Sequence, residues 1–157
     1  MRAIADVLNT STNTTMKLSK ILVAKTQIDT AIELFLSDKD FVSALTLAGA
    51  AEEILGSILK RGNSNYILHD LHQWYQQAKN DPIKFGPFSK LANFTRNTLK
   101  HANESTEDEV EVFRWEAVQM LMRAMTNWHK LGQTPDDVML KFNAWIKANE
   151  GAYENIE

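Results

Sequence analysis

The residues best equipped for chemistry stand together near the middle of the chain, in Arg96-Asn97-Thr98-Leu99-Lys100-His101. An imidazole titrates close to neutral pH, so His101 can take a proton from a ribose 2′-hydroxyl or return one to a leaving oxygen. A guanidinium holds phosphate bidentately and offsets charge developing in the transition state, which suits Arg96. Asn97 lies four residues before His101, one helical turn, so its amide can orient the ring. Lys100 adds a second cation. This set suits phosphodiester cleavage without a metal, and attack by a 2′-hydroxyl makes the substrate RNA. On a straight helix Arg96 and His101 diverge by about 140°. One copy therefore makes an awkward site, whereas two copies facing across a twofold axis pool two Arg and two His. The plain alternative is a pair of solvated surface residues.

Three other groups invite a functional reading. Glu52 falls inside an apolar stripe, so it either reaches water from the stripe edge or is an inward acid holding an Arg or His. His69 and His72, three apart on one side of a helix, could share a metal. No third ligand is indicated, so they read as solvated surface histidines, and no metal or cofactor is expected. The acidic run Glu104, Glu107, Asp108, Glu109, Glu111 and Glu116 suits the first turn of a helix, where the dipole favours negative charge.

The elements that must position these groups read as helices throughout. The expected spans are about 15–36, 39–61, 65–79, 88–102 and 106–131, with a last helix opened by Thr134-Pro135-Asp136-Asp137, read as N-cap, proline at the first helical position and first-turn acids. In the third, Ile67, Leu71, Trp74 and Ala78 are expected inward; in the fourth, Phe88, Leu91, Ala92, Thr95 and Leu99. Strand-period alternation and internal repeats are absent from the sequence. The expected fold is all-α, an up-and-down bundle of about five to six helices. Residues 1–14 read as an arm and linker ahead of one domain over 15–150, because Asn9-Thr10-Ser11-Thr12-Asn13-Thr14 is a polar break.

A net charge of −3 argues against non-specific coating of nucleic acid. Locally, Lys79, Lys84, Lys90, Arg96 and Lys100 oppose a single acid, Asp81, and this basic stretch favours an anionic ligand. The chain has no cysteine, which removes disulfides, thiolate metal sites and cysteine nucleophiles. The first twenty-five residues hold no apolar run long enough for a signal peptide or membrane span, so a cytoplasmic location is expected.

The stretch Arg96-Asn97-x-x-x-His101 resembles the signature of the HEPN superfamily: an Arg, often a polar residue next, then a His after four to six positions. The upstream segment from Ala44 to Leu55 is also similar to the Ala- and Glu-bearing helix common in that family, and the likeness covers about residues 28–131. The resemblance implies a helical core of four to five helices, here with an extra C-terminal helix. It also implies a homodimer joined through the Arg96–His101 helix. Many members are metal-independent endoribonucleases of toxin–antitoxin, phage-defence or RNA-processing systems, often paired with a nucleotidyltransferase-like partner. Carried onto this chain, Arg96 binds the phosphate, His101 is the acid/base and Asn97 supports it, with Glu52 and Lys100 around them. The product is a 2′,3′-cyclic phosphate. Other members are catalytically silent binding modules, and a generic helical interaction domain is the remaining reading.

Overall fold

A computed structural model describes residues 17–152, so the expected arm over 1–14 lies outside the described residues. The described residues run through seven α-helices: α1 (Lys20–Leu36), α2 (Phe41–Arg61), α3 (Ile67–Lys79), α4 (Phe85–Ala92), α5 (Phe94–Thr98), α6 (Arg114–Lys130) and α7 (Asp137–Ala148). Short 3₁₀ turns sit at Ser105–Glu107 and Glu150–Ala152, and no strand occurs among the described residues. The all-α bundle is therefore the fold.

Local chemistry sets several of the boundaries. The Ser19 hydroxyl accepts from the Leu22 amide at 3.1 Å and starts α1, and the Asp40 carboxylate accepts from the Ser43 amide at 2.9 Å to start α2. Asn80 ends α3 in the left-handed region, at φ 49°, a conformation Asn tolerates better than most residues. Asp136 accepts from the Met139 amide at 3.0 Å and opens α7.

The core is built on α2, which packs between α1 and α6. Ile28, Ile32 and Phe35 from α1 meet Leu45 and Leu55 from α2 and Leu121 and Ala124 from α6, all essentially solvent-free. α2 is the one described helix long and apolar enough to cross a membrane, yet half of that apolar window is buried in this core. α7 closes the other side of α1. Phe142 meets Phe35 edge to face at 5.7 Å, and Trp145 does the same at 4.8 Å.

Three expectations change. Trp74 is 63% exposed, and α3 instead turns Leu68 inward. The apolar stripe drawn through Ile67, Leu71, Trp74 and Ala78 was not the buried one, because α3 buries aromatic and histidine rings against α4. The helix expected over 88–102 breaks at Asn93, whose ψ of 12° interrupts it, and leaves Leu91 and Phe94 largely exposed. The Ala92 carbonyl there accepts from the Arg123 guanidinium at 2.9 Å, a side chain drawing on backbone at the break. The helix expected from 106 begins only at Arg114, so of the acidic run only Glu116 lies in a first turn of α6. Closely spaced like charges disfavour helix there. Glu107 instead accepts from the Asn103 and Glu104 amides at 2.7 and 3.3 Å, holding a 3₁₀ turn.

Two outcomes test this packing. Phe142→Ala should lower stability by about 3–5 kcal/mol in chemical denaturation, as expected for a truncated core aromatic. Lys25 bridges Asp29 on its own helix and Asp136 at the start of α7. Burial works against the charged form of both partners, but their mutual contact wins, holding Asp136 below its usual value and Lys25 above its own. A lowered Asp pKa stabilises above the unfolded value and fades as pH falls; a raised Lys pKa stabilises below the unfolded value and fades as pH rises. The bridge thus operates from about pH 4 to about pH 10. Asp136→Asn keeps the cap but loses the charge. It should cost about 0.5–1 kcal/mol at pH 7, since Asp136 is partly solvated, and the cost should fade as pH falls below the unfolded value and through the lowered pKa of Asp136.

Candidate functional site

Glu52 from within the apolar stripe of α2 and Arg123 from the border of the α6 stripe meet. Glu52 on α2 is 4% exposed and Arg123 on α6 is 8% exposed. Arg123 donates to Glu52 Oε1 at 3.0 Å and to Asn93 Oδ1 at 2.8 Å. The other carboxylate oxygen of Glu52 faces Arg96 of α5, 8% exposed, whose Nη1 donates at 3.4 Å. The same Nη1 reaches the Gly49 carbonyl at 3.4 Å and Glu53 at 3.6 Å. One buried carboxylate therefore holds two guanidiniums, with exposed Glu53 bringing the group to balance. The Nε atoms of Arg96 and Arg123 are buried without a partner.

Small residues make this approach possible. A Cβ on Gly49 would lie 2.5 Å from Arg96 Cδ and 2.8 Å from Cγ, so the arginine stem lies against bare backbone. Asn127, fully buried on α6, donates to the Glu52 carbonyl at 3.2 Å and accepts from the Ile67 amide at 2.8 Å. It thereby fastens the start of α3 to the same point. Gly56 leaves room for it, its absent Cβ being 3.3 Å from Asn127 Nδ2.

The remaining residues singled out from sequence lie elsewhere. His101 is exposed beyond the end of α5, its amide reaching the Thr98 carbonyl at 3.4 Å. Asn97 is half-buried, and its carbonyl accepts from the Lys100 amide at 3.1 Å. Arg96 lines a cleft of about 200 Å³ with Glu52, Lys60, Tyr66, Ser89 and Asn93, and His101 is not part of that lining. Burial, and then the Glu52 charge, push the Tyr66 hydroxyl above its usual value. Lys100 lines a neighbouring cleft of about 460 Å³ with Lys20 and Arg61; the two clefts share Glu53 and Ser57 as a common wall. His69 and His72 are half-buried rather than solvated. His72 Nε2 lies 2.7 Å from the Ile83 carbonyl, and its ring packs 5.5 Å from Phe85 and 5.2 Å from Phe88.

Sequence reasoning missed Arg123, Asn93 and Asn127. A signal was present in α6, where Arg123 and Asn127, four apart, border the stripe formed by Met120, Ala124 and Trp128. Comparison with protein-family models, with characterised proteins and with solved structures gives no match to this chain.

Removing the carboxylate should be the most damaging single change here. Glu52→Ala strands two buried guanidiniums and is expected to cost about 3–5 kcal/mol in urea unfolding. Gly49→Ala should cost about 1–3 kcal/mol by forcing the Arg96 stem aside. Most of that cost should vanish in the Arg96→Ala background, a coupling that a double-mutant cycle measures directly.

Proposed function

We propose that this chain is a HEPN-like helical module that binds the phosphate backbone of RNA or a nucleotide and does not cut it. The observation that carries this reading is the separation of Arg96 from His101. A phosphate-holding arginine must present its guanidinium to the substrate, and an acid/base histidine must come within hydrogen-bond reach of the same reacting atoms. Arg96 is buried and committed to Glu52, Gly49 and Glu53, whereas His101 stands in solvent outside the cleft. Cations able to meet phosphate are found next door, where Lys20, Arg61 and Lys100 line one cleft. Binding there is electrostatic, so it weakens steeply with salt. A homodimer and a cytoplasmic location accompany this reading.

One observation favours the metal-independent endoribonuclease as a second reading. Glu52 holds Arg96 from behind at the wall of a cleft, and a twofold partner could bring its His101 to that wall.

RNA incubated with purified protein and a chelator, alongside Arg96→Ala, His101→Ala and Lys100→Ala, separates the two. The expected result is salt-dependent binding without cleavage, weakened several-fold by Lys100→Ala and unchanged by His101→Ala. Chelator-resistant cleavage abolished by His101→Ala, with folding intact, overturns the binding reading in favour of the nuclease. Neither binding nor cleavage overturns both.

A further inference from the structure

The cleft walled by Glu52 and Arg96 and the cation-lined cleft beside it lie on two sides of one ridge. Glu53 and Ser57, both exposed and one turn apart on α2, belong to both. Where α2 ends, the exposed neighbours Lys60 and Arg61 fall on opposite sides of that ridge. Lys60 lines the first cleft and Arg61 the second.

The two sides differ in chemistry. The larger, about 460 Å³, sets Lys20, Arg61 and Lys100 around Ala50, Ile54 and Ile58, and no aromatic ring lines it. It offers charge to phosphate. The smaller, about 200 Å³, is lined by two half-buried rings, Tyr66 and Phe85. Their centroids are 6.3 Å apart and their planes 81° from each other. Two rings at right angles give a flat guest one face to lie on and one edge to abut. The Tyr66 hydroxyl, Ser57 and Lys60 stand around them, and their side chains make no hydrogen bond or ion pair among the described residues. The Glu52–Arg96 pair and Asn93, itself held by Arg123, belong to the same wall, so the cleft is shaped before a guest arrives.

This pairing of clefts bears on what kind of strand fits. A surface that meets phosphate alone holds a duplex at least as well as a single strand, because the duplex carries more charge per unit length. An aromatic cleft next to the phosphate site reverses that order. Only an unpaired base can leave its neighbours and stack on a protein ring. At about 200 Å³ the cleft suits one flat base and not a base pair.

We propose, on the basis of the phosphate-binding reading, that the ligand is single-stranded RNA with one unpaired base seated against Tyr66 and Phe85. The adjoining phosphates cross the α2 ridge at Ser57 to reach Arg61, Lys100 and Lys20. The carboxylate of Glu53 keeps phosphate off the next turn of the ridge, which leaves Ser57, one turn before Lys60 and Arg61, as the crossing point. Stacking accepts every base, so the cleft selects for strandedness and not for sequence.

Binding to the natural chain at one fixed salt concentration separates base from phosphate. The probes are a short RNA of mixed sequence, the same strand in a perfect duplex, and a backbone of equal length with abasic riboses. The single strand is expected to bind about tenfold more tightly than either of the others, the gain that stacking one base supplies. Tyr66→Leu and Phe85→Leu, which keep apolar volume and remove the ring, should each cut that advantage several-fold. Lys100→Ala should weaken all three probes. Duplex or abasic backbone bound as tightly as the single strand overturns the base cleft and leaves the phosphate-binding reading standing. A preference undiminished in both variants, with folding intact, overturns it as well. Binding of none of the probes overturns the phosphate-binding reading and the base cleft together.

Discussion

One buried carboxylate organises the half of the molecule that bears the candidate site. Glu52 sits where α2, α5 and α6 converge and accepts from Arg123 on one oxygen and Arg96 on the other. Burying three charges is costly, and each is tolerated only because the others are in place. The consequences spread outward. Arg123 also takes the Ala92 carbonyl and the Asn93 side chain, which fixes the break between α4 and α5. The Glu52 backbone carbonyl accepts from Asn127, which in turn holds the start of α3. In the other half of the bundle α1, α2 and α7 meet chiefly through aliphatic and aromatic side chains, with the partly solvated Lys25–Asp136 pair at the start of α7.

This arrangement changes what the Arg96–His101 stretch can do. Read on an unbroken helix, Arg96 borders the polar side and His101 shares it with Asn97. The break at Asn93 and the end of α5 at Thr98 replace that single frame with a five-residue helix followed by a loop. Arg96 then turns inward to Glu52, and His101 is left outside. The exposed cations shift to the flank of α2, where Lys20 and Arg61 join Lys100 from separate parts of the sequence.

How much of this was legible in the sequence depended on whether neighbours along the chain or across it decide the outcome. The long helices α1, α2 and α6 bury a periodic aliphatic stripe, and the core ends of all three follow from it: Ile28, Leu45 and Leu121 are where the 3.6-residue period puts them. The last helix was readable to within a turn, but Asp136 rather than Thr134 caps it, so Pro135 precedes the helix instead of opening it. Glu52 was visible as an anomaly within an apolar stripe, but its partners were not, since Arg96 and Arg123 lie 44 and 71 residues away. The inward face of α3 went unread because it is formed by Leu68, His72 and Tyr75 packed on Phe85 and Phe88, a mixed surface with no aliphatic signal. The late start of α6 likewise depends on an acidic run whose mutual repulsion outweighs its attraction to a helix dipole.

The claim on which the rest turns is that Arg96, as a buried partner of Glu52, supports the fold, whereas exposed His101 does not. Urea unfolding of Arg96→Ala and His101→Ala, compared with the natural chain, tests that claim most directly. The account predicts a loss of about 2 kcal/mol or more for Arg96→Ala, and a change within about 0.5 kcal/mol for His101→Ala. An Arg96→Ala chain as stable as the natural one would contradict it, because a residue held ready for substrate can be removed without cost to folding and a buried partner of Glu52 cannot.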